Sequence, residues 1–278
     1  MIRYDGHVHT PFCPHGTNDS LEEYIHKAIS LGMNGLTFTE HAPLPKGFKD
    51  PAPSRDSAMN ESDLPLYLQT LKRLKKKYAD RITVNIGLEV DYIEGYEEER
   101  KAFLDKWGKD LDDAILSVHF LQFDQRFFCL DYSPDLFRDL IAAAGSLDAV
   151  YRTYFHVVKK AVLSDLGNYK PRRIGHLTLV RKFQKKFPTD KRYEAEIFEL
   201  LDLIQEGGYA LDYNGAGFSK PFCGEPYPPS WVVNEAVKRK IPLIYGSDAH
   251  AVKGMGQGFE RLAFNHLTTT PILLTEQR

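Results

Sequence analysis

Short apolar runs rich in β-branched residues alternate along the chain with longer amphipathic stretches. The runs predict strands at residues 2–9, 35–40, 82–90, 114–119, 173–176, 210–213 and 242–246. The amphipathic stretches predict helices at residues 20–31, 64–78, 96–107, 147–164, 193–207 and 230–240. Each helix is long enough to cross back over a sheet, so the alternation indicates an α/β fold with parallel strands. Seven strands without a linker predict a distorted seven-stranded (β/α)7 TIM-like barrel formed by one domain, residues 1–278.

One long irregular segment interrupts this alternation. Residues 42–63 contain Pro43, Pro45, Pro51 and Pro53 together with Gly47. Loops of this length are uncommon inside compact domains and are usually functional. We expect this segment to be a lid over the barrel mouth, the alternative being an insertion without a role.

Composition narrows the class of protein. Of the 278 residues, 42% are hydrophobic and 27% are charged, which is ordinary for a globular protein. Lys and Arg number 36 against 38 Asp and Glu, and no block of like charge occurs, so we expect no nucleic-acid partner. The three cysteines, Cys13, Cys129 and Cys223, are too sparse for a disulfide framework. With a polar N-terminus and no apolar stretch of membrane-spanning length, the sequence predicts a cytoplasmic protein that does not enter a membrane.

The positions of the histidines point to chemistry. His7 and His9 lie two residues apart at the end of the first predicted strand, so both imidazoles point to the same side. Asp248 and His250 repeat this spacing after the last strand. Four single residues end other strands or closely follow them: His41, Glu89, His119 and His176. Because a parallel barrel gathers the C-terminal ends of its strands at one face, we expect a metal site there. Imidazole and carboxylate ligands suit zinc, iron or manganese better than calcium.

A structural explanation exists for each of these residues taken alone. A single histidine at a strand end is more often a hydrogen-bonded residue than a ligand, and one H-x-H pair is common by chance. Two such pairs and four single residues would converge only in the barrel that the hydrophobic pattern predicts. We expect His26, His156 and His266, which lie in helical patterns and in the C-terminal tail, to be solvated or packed.

The strings around these residues resemble the polymerase-and-histidinol-phosphatase (PHP) superfamily. They run from Asp5 to His250 and read DGHVHTPFCPHG, FTEHAPLP, GLEVDYIEGYE, ILSVHF, RIGHLTLVRKF, DYNGAGFSKPFCGEPYPP and GSDAH. The strings around Glu89, His176 and Asn214 are similar to the histidinol-phosphatase branch of that superfamily.

The resemblance implies a site for three divalent ions and a substrate. Carried over by motif, the ligands of the first ion would be His7, His9, Glu89 and Asp248, those of the second His15, His41 and His250, and those of the third His119 and His176, with Glu89 bridging to the first. The implied reaction is hydrolysis of histidinol phosphate in histidine biosynthesis, by a hydroxide that closely spaced ions generate from water.

Residues that contact the substrate are less clearly marked. The branch would carry an arginine after its Asn-x-Ala-Gly segment, where this chain has Lys220, which lacks the bidentate fork of arginine. Arg181 is the stronger candidate for a phosphate contact, the alternative being a solvent-facing helix residue. Because histidinol is cationic, acidic residues at the mouth would assist binding. The candidates by loop position are Asp50, Asp56, Glu61, Asp63 and Glu225.

Two other functions are compatible with the sequence. The chain could be another PHP-type phosphoesterase, either a nuclease or a nucleotide or phosphotyrosine phosphatase. A nuclease would need a basic groove, which the near-neutral charge does not suggest. The chain could also be a non-catalytic metal-binding barrel, which would bind ions without turning over a phosphomonoester.

Overall fold

Nine strands and seven helices make up the regular structure of the computed structural model, which describes residues 4–274. The strands are β1 (Tyr4–Val8), β2 (Gly35–His41), β3 (Thr83–Asp91), β4 (Asp113–Ser117), β5 (Phe120–Phe123), β6 (Arg126–Cys129), β7 (Arg173–Ile174), β8 (Ala210–Asn214) and β9 (Leu243–Gly246). The helices are α1 (Leu21–Ser30), α2 (Leu64–Lys77), α3 (Glu97–Trp107), α4 (Pro134–Ala144), α5 (Leu147–Leu163), α6 (Glu194–Glu206) and α7 (Ser230–Lys238).

Seven parallel strands form a nearly closed barrel in the order β1-β2-β3-β4-β7-β8-β9. The seam between β1 and the segment after β9 is bridged by backbone hydrogen bonds. The His9 amide donates to the Ala249 carbonyl at 3.0 Å, and the Asp248 amide donates to the His7 carbonyl at 2.7 Å. The predicted seven-stranded α/β barrel is therefore confirmed. Residues 2 and 3 of the predicted first strand lie outside the described part of the chain.

Amphipathic helices cover the outside of the barrel, and their apolar faces pack against the strands. Helix α1 shows why such a segment folds: Ser20 caps it and Glu23 bonds back to the Ser20 amide, while Tyr24, Ile25 and Ala28 are buried. None of the helices within residues 4–274 is both long and apolar enough to cross a bilayer.

The segment between β4 and α5 differs from the sequence expectation. A hairpin of β5 and β6 and helix α4 occupy residues 120–144, where no element was predicted. Strand β4 ends at Ser117, so His119 follows the strand rather than ending it. Strand β7 has only two residues. The next residue requires glycine: a Cβ atom on Gly175 would lie 2.0 Å from Ser117 Oγ, since the backbone approaches β4 closely at this point.

Candidate metal centre and active site

Histidine nitrogens and carboxylate oxygens converge where the C-terminal ends of the barrel strands meet. His7 and His9 come from β1 and from the residue after it, and their Nε2 atoms are 3.3 Å apart. Glu89 Oε2 on β3 lies 3.3 Å from His7 Nε2 and 3.5 Å from His9 Nε2. Asp248 Oδ1 lies 3.3 Å from His9 Nε2. The four predicted ligands of the first ion are thus brought together.

The predicted ligands of the third ion also meet at Glu89. The Nε2 atoms of His119 and His176 are 3.1 Å apart, and His176 Nε2 lies 2.9 Å from Glu89 Oε1. The second oxygen of this carboxylate, Oε2, faces His7 and also His41 Nδ1, at 3.2 Å. Glu89 therefore lies between the two groups, as a bridging ligand would.

The residues predicted for the second ion cluster beside His9. The ring of His250 stacks on His9 with centroids 3.9 Å apart, and the rings of His15 and His250 are 4.9 Å apart. The donor atoms of His9, Cys13, His41 and His250 all lie within 4.8 Å of one another. The sequence did not predict the thiol of Cys13 at this site, although the motif that contains it, PFCPHG, supplies the predicted ligand His15.

Buried acceptors on the far side of the rings fix how several histidines are oriented. The Nδ1 atoms of His7, His9 and His119 contact Asp212 Oδ2 at 2.9 Å, Glu40 Oε1 at 3.1 Å and Asp91 Oδ1 at 2.7 Å, respectively. Each carboxylate accepts, so each Nδ1 donates its proton to that carboxylate and each Nε2 faces the cluster. This arrangement is the one by which proteins orient metal-binding histidines.

The electrostatics of the cluster also fit a cation. Burial alone would lower the pKa of His9, but Asp248 and Glu40 outweigh it and raise that pKa to about 9. At His41, burial and the neighbouring His9 hold the pKa well below its usual range. Its buried Nδ1 lies 3.2 Å from Glu89 Oε2 but makes no hydrogen bond within residues 4–274. Inward-facing nitrogens about 3 Å apart cannot all carry protons, whereas a divalent ion between them would satisfy every one.

A cavity of about 530 Å³ opens above these groups. Lys182 and Lys220 line it, and Lys182 Nζ donates to Asp131 Oδ2 at 2.8 Å. Burial would lower the pKa of Lys182, but Asp131 outweighs it and raises that pKa, so the ammonium stays charged. Arg181 is not brought to the cavity, because its guanidinium instead pairs with Glu225 at 2.5 Å.

Comparison with known proteins gives the relationship. Residues 5–216 match the PHP domain family. The chain belongs to this family. The histidinol-phosphatase of Bacillus subtilis (strain 168) is 46% identical over 262 residues, which are 94% of this chain and 98% of that relative.

Two solved structures are similar to this PHP barrel. HisK of Listeria monocytogenes has a TM-score of 0.88 and 38% identity, covering 93% of this chain and 99% of that chain. Histidinol phosphate phosphatase of Lactococcus lactis, solved with zinc, L-histidinol and phosphate, has a TM-score of 0.61 and 21% identity, covering 90% of this chain and 87% of that chain. The second of these supports the fold.

Several functional residues of this PHP site were missed by sequence reasoning. Asp91 lies two residues after Glu89 on the same strand, and Glu40 directly precedes His41, so both had a positional signal. Asp212 lies in the middle of β8 and had none. The remaining histidines behave as expected: His156 and His266 are exposed, and His26 pairs with the Tyr78 hydroxyl at 2.9 Å.

Proposed function

We propose that this PHP protein hydrolyses histidinol phosphate to histidinol and phosphate, a step of histidine biosynthesis. The observation that carries the reaction class is the cluster of imidazoles and carboxylates on the floor of the cavity, with the ammonium of Lys182 in its wall. The substrate follows from the Bacillus subtilis relative, a histidinol-phosphatase that aligns over nearly the whole of both chains.

The clusters described above are the proposed sites of three divalent ions, zinc, iron or manganese. The donors of the first are His7, His9, Glu89 and Asp248, those of the second His15, His41 and His250, and those of the third His119, His176 and Glu89. When bound, such ions lower the pKa of water and neutralise charge on phosphoryl oxygens. Glu40, Asp91 and Asp212 hold three of the histidine rings in the productive tautomer.

The lysines of the cavity wall are the proposed phosphate contacts. Lys182 is preorganised by its bond to Asp131, and Lys220 lies on the same cavity. An ammonium so placed would stabilise the negative charge of the phosphoryl oxygens in the transition state. Arg181 would support this wall from outside through its pair with Glu225, rather than contact the phosphate.

Residues 42–63 are the proposed lid. Asp56 and Ser57 of this segment line the cavity. Its beginning is held by Arg100, whose Nη1 donates to the Pro43 carbonyl at 2.6 Å. The ring of Phe48 packs against Phe120, with centroids 5.0 Å apart. These contacts support the proposal that the segment covers the mouth, where it would shield bound substrate from water.

The decisive experiment compares substrates on metal-reconstituted protein. Histidinol phosphate, generic phosphomonoesters and a phosphodiester are supplied to wild type and to His9→Ala, with the metal content of both measured. We expect a strong preference for histidinol phosphate that is lost, together with bound metal, in His9→Ala, because this ring faces both Glu89 and Asp248.

A matched variant controls for the loss of an imidazole. His156→Ala removes an exposed histidine from α5 and is expected to retain activity and metal content. Rapid cleavage of the phosphodiester would instead assign the chain to a nuclease function. Bound metal without turnover of any substrate would favour a non-catalytic barrel.

A further inference from the structure

Within the described residues, one carboxylate at the cavity mouth is paired with neither a cation nor a histidine. Of the five acidic residues that the sequence places in mouth loops, Asp56 is the one that lines the cavity. Glu225 pairs with Arg181, and Glu61 lies 3.8 Å from Lys106. Both oxygens of Asp50 accept hydrogen bonds inside the loop itself, from Ala52 and Ser57.

The fifth, Asp63, directly precedes α2 and accepts a bond from the Asn60 amide at 3.2 Å. The other carboxylates that line the cavity are also occupied. Glu89 and Asp248 face the histidine cluster, Asp91 holds His119, and Asp131 holds Lys182. Asp56 is therefore the acidic group of the described cavity wall that remains available to a ligand.

The local structure presents Asp56 to the cavity in a defined orientation. Its Oδ1 accepts a hydrogen bond from Ser54 Oγ, which also contacts the Tyr132 hydroxyl at 3.2 Å. Within residues 4–274, Oδ2 has no hydrogen-bond partner. The carbonyl of the same residue accepts a bond of 2.7 Å from His15 Nδ1, so Asp56 lies beside the proposed second metal site.

The proposed substrate has a cation at a matching position. In histidinol phosphate the ammonium nitrogen is four covalent bonds from phosphorus, so it must lie close to the metal cluster when the phosphate is bound there. A partly desolvated ammonium needs a charged acceptor, and the cavity lysines cannot supply one. Building on the proposed function, we propose that the Asp56 carboxylate binds the ammonium group of the substrate and selects for aminoalkyl phosphates.

The test measures discrimination rather than activity alone. For wild type and Asp56→Asn, kcat/KM is determined for histidinol phosphate, for phosphoethanolamine, which has the same phosphorus-to-nitrogen spacing, and for glycerol phosphate, which has no cation. Since a hydrogen bond to a charged group contributes more than a neutral one, we expect the preference for the two aminoalkyl phosphates to fall by about tenfold to hundredfold. The change should appear mainly in KM.

Two controls separate this role from a structural one. Glu61→Gln removes a negative charge from the same loop at an exposed position and is expected to leave the preference unchanged. Asp56→Asn retains the backbone carbonyl that holds His15, so its metal content is expected to equal that of wild type. An unchanged preference in Asp56→Asn, an equal loss on all three substrates, or a loss of metal would each overturn the proposal.

Failure of the proposed function gives a different result. A wild type that fails to turn over histidinol phosphate would refute that function. The role of Asp56 would still be decided by phosphoethanolamine and glycerol phosphate, as substrates or as competitive inhibitors. Tighter binding of phosphoethanolamine that is lost in Asp56→Asn supports it, and equal binding of both compounds to wild type refutes it.

Discussion

Glu40 offers the sharpest test of how the barrel supports its metal site. This fully buried carboxylate accepts four hydrogen bonds, divided between its two oxygens. Oε1 receives His9 Nδ1 at 3.1 Å and the His41 amide at 2.9 Å, and Oε2 receives the Thr10 amide at 2.8 Å and the Thr10 hydroxyl at 2.5 Å. Glu40→Gln keeps the shape of the side chain but turns one acceptor oxygen into an NH2 donor.

The size of the effect follows from these contacts. If the amide oxygen keeps the two Thr10 donors, its NH2 group faces two further donors, and each buried donor left unsatisfied costs about 1–3 kcal/mol. The expected destabilisation is thus about 2–6 kcal/mol, or a fall in Tm of about 4–12 °C for a chain of this size. His9 can avoid part of this cost by moving its proton to Nε2, but that tautomer no longer presents a lone pair to the cluster.

Metal binding should therefore weaken along with stability. We expect a loss of about tenfold to hundredfold in metal affinity, the usual effect of removing such a supporting carboxylate. Thermal unfolding and competition with a chromophoric chelator measure the two quantities. Glu98→Gln, at an exposed position of α3, is the matched control. A Glu40→Gln protein that unfolds at the wild-type temperature and binds metal with wild-type affinity would refute the reasoning.

Three further predictions concern other parts of the molecule. Lys182→Met should weaken inhibition by inorganic phosphate and lower kcat/KM for phosphomonoesters by about tenfold to hundredfold, with partial recovery in Lys182→Arg; unchanged phosphate inhibition would contradict this. Burial lowers the pKa of Lys170 to about 8. The unfolded chain then binds more protons than the folded one between that pH and about 10.4, so the free energy of unfolding should rise with pH in this window. Urea titrations at both ends of the window should show a rise in wild type that Lys170→Met lacks. If the free energies of unfolding of wild type and Lys170→Met changed in parallel with pH, the prediction would be wrong. Phe48→Ala should speed hydrogen exchange in residues 42–63 while leaving exchange in the barrel strands unchanged, because Phe48 packs the loop on the β5–β6 hairpin.

The sequence predicted the barrel well because its signals are local and repeated. Most strands of the barrel are short apolar runs, and the six predicted helices begin and end within two residues of their predicted limits. The β5–β6 hairpin escaped because its turn uses Asp124 and Gln125 at φ 49° and 62°, without the glycine that usually marks such a turn. Helix α4 has a recognisable start in the sequence, Ser133 followed by Pro134.

The candidate site was predictable to the extent that its residues sit at strand ends. The sequence does not show which of two neighbouring residues faces the cavity, as Arg181 and Lys182 illustrate. Both lie in the 3₁₀ turn Leu179–Phe183, where successive side chains differ in direction by about 120°. Asp212 illustrates a second limit, since its role arises from a partner far away in the sequence, His7.

The barrel seam affects when the protein can fold and bind metal during its synthesis. On the ribosome, the H-x-H pair emerges early, but Asp248 and the Ala249 carbonyl that fastens the seam emerge only when most of the chain has been made. Until then His7 and His9 lack the carboxylate of Asp248, and the barrel around them is still open. Contacts so distant in sequence form slowly. Metal acquisition should therefore follow translation, and fragments lacking the final unit, such as those left by premature termination, should neither capture ions tightly nor act on phosphate esters.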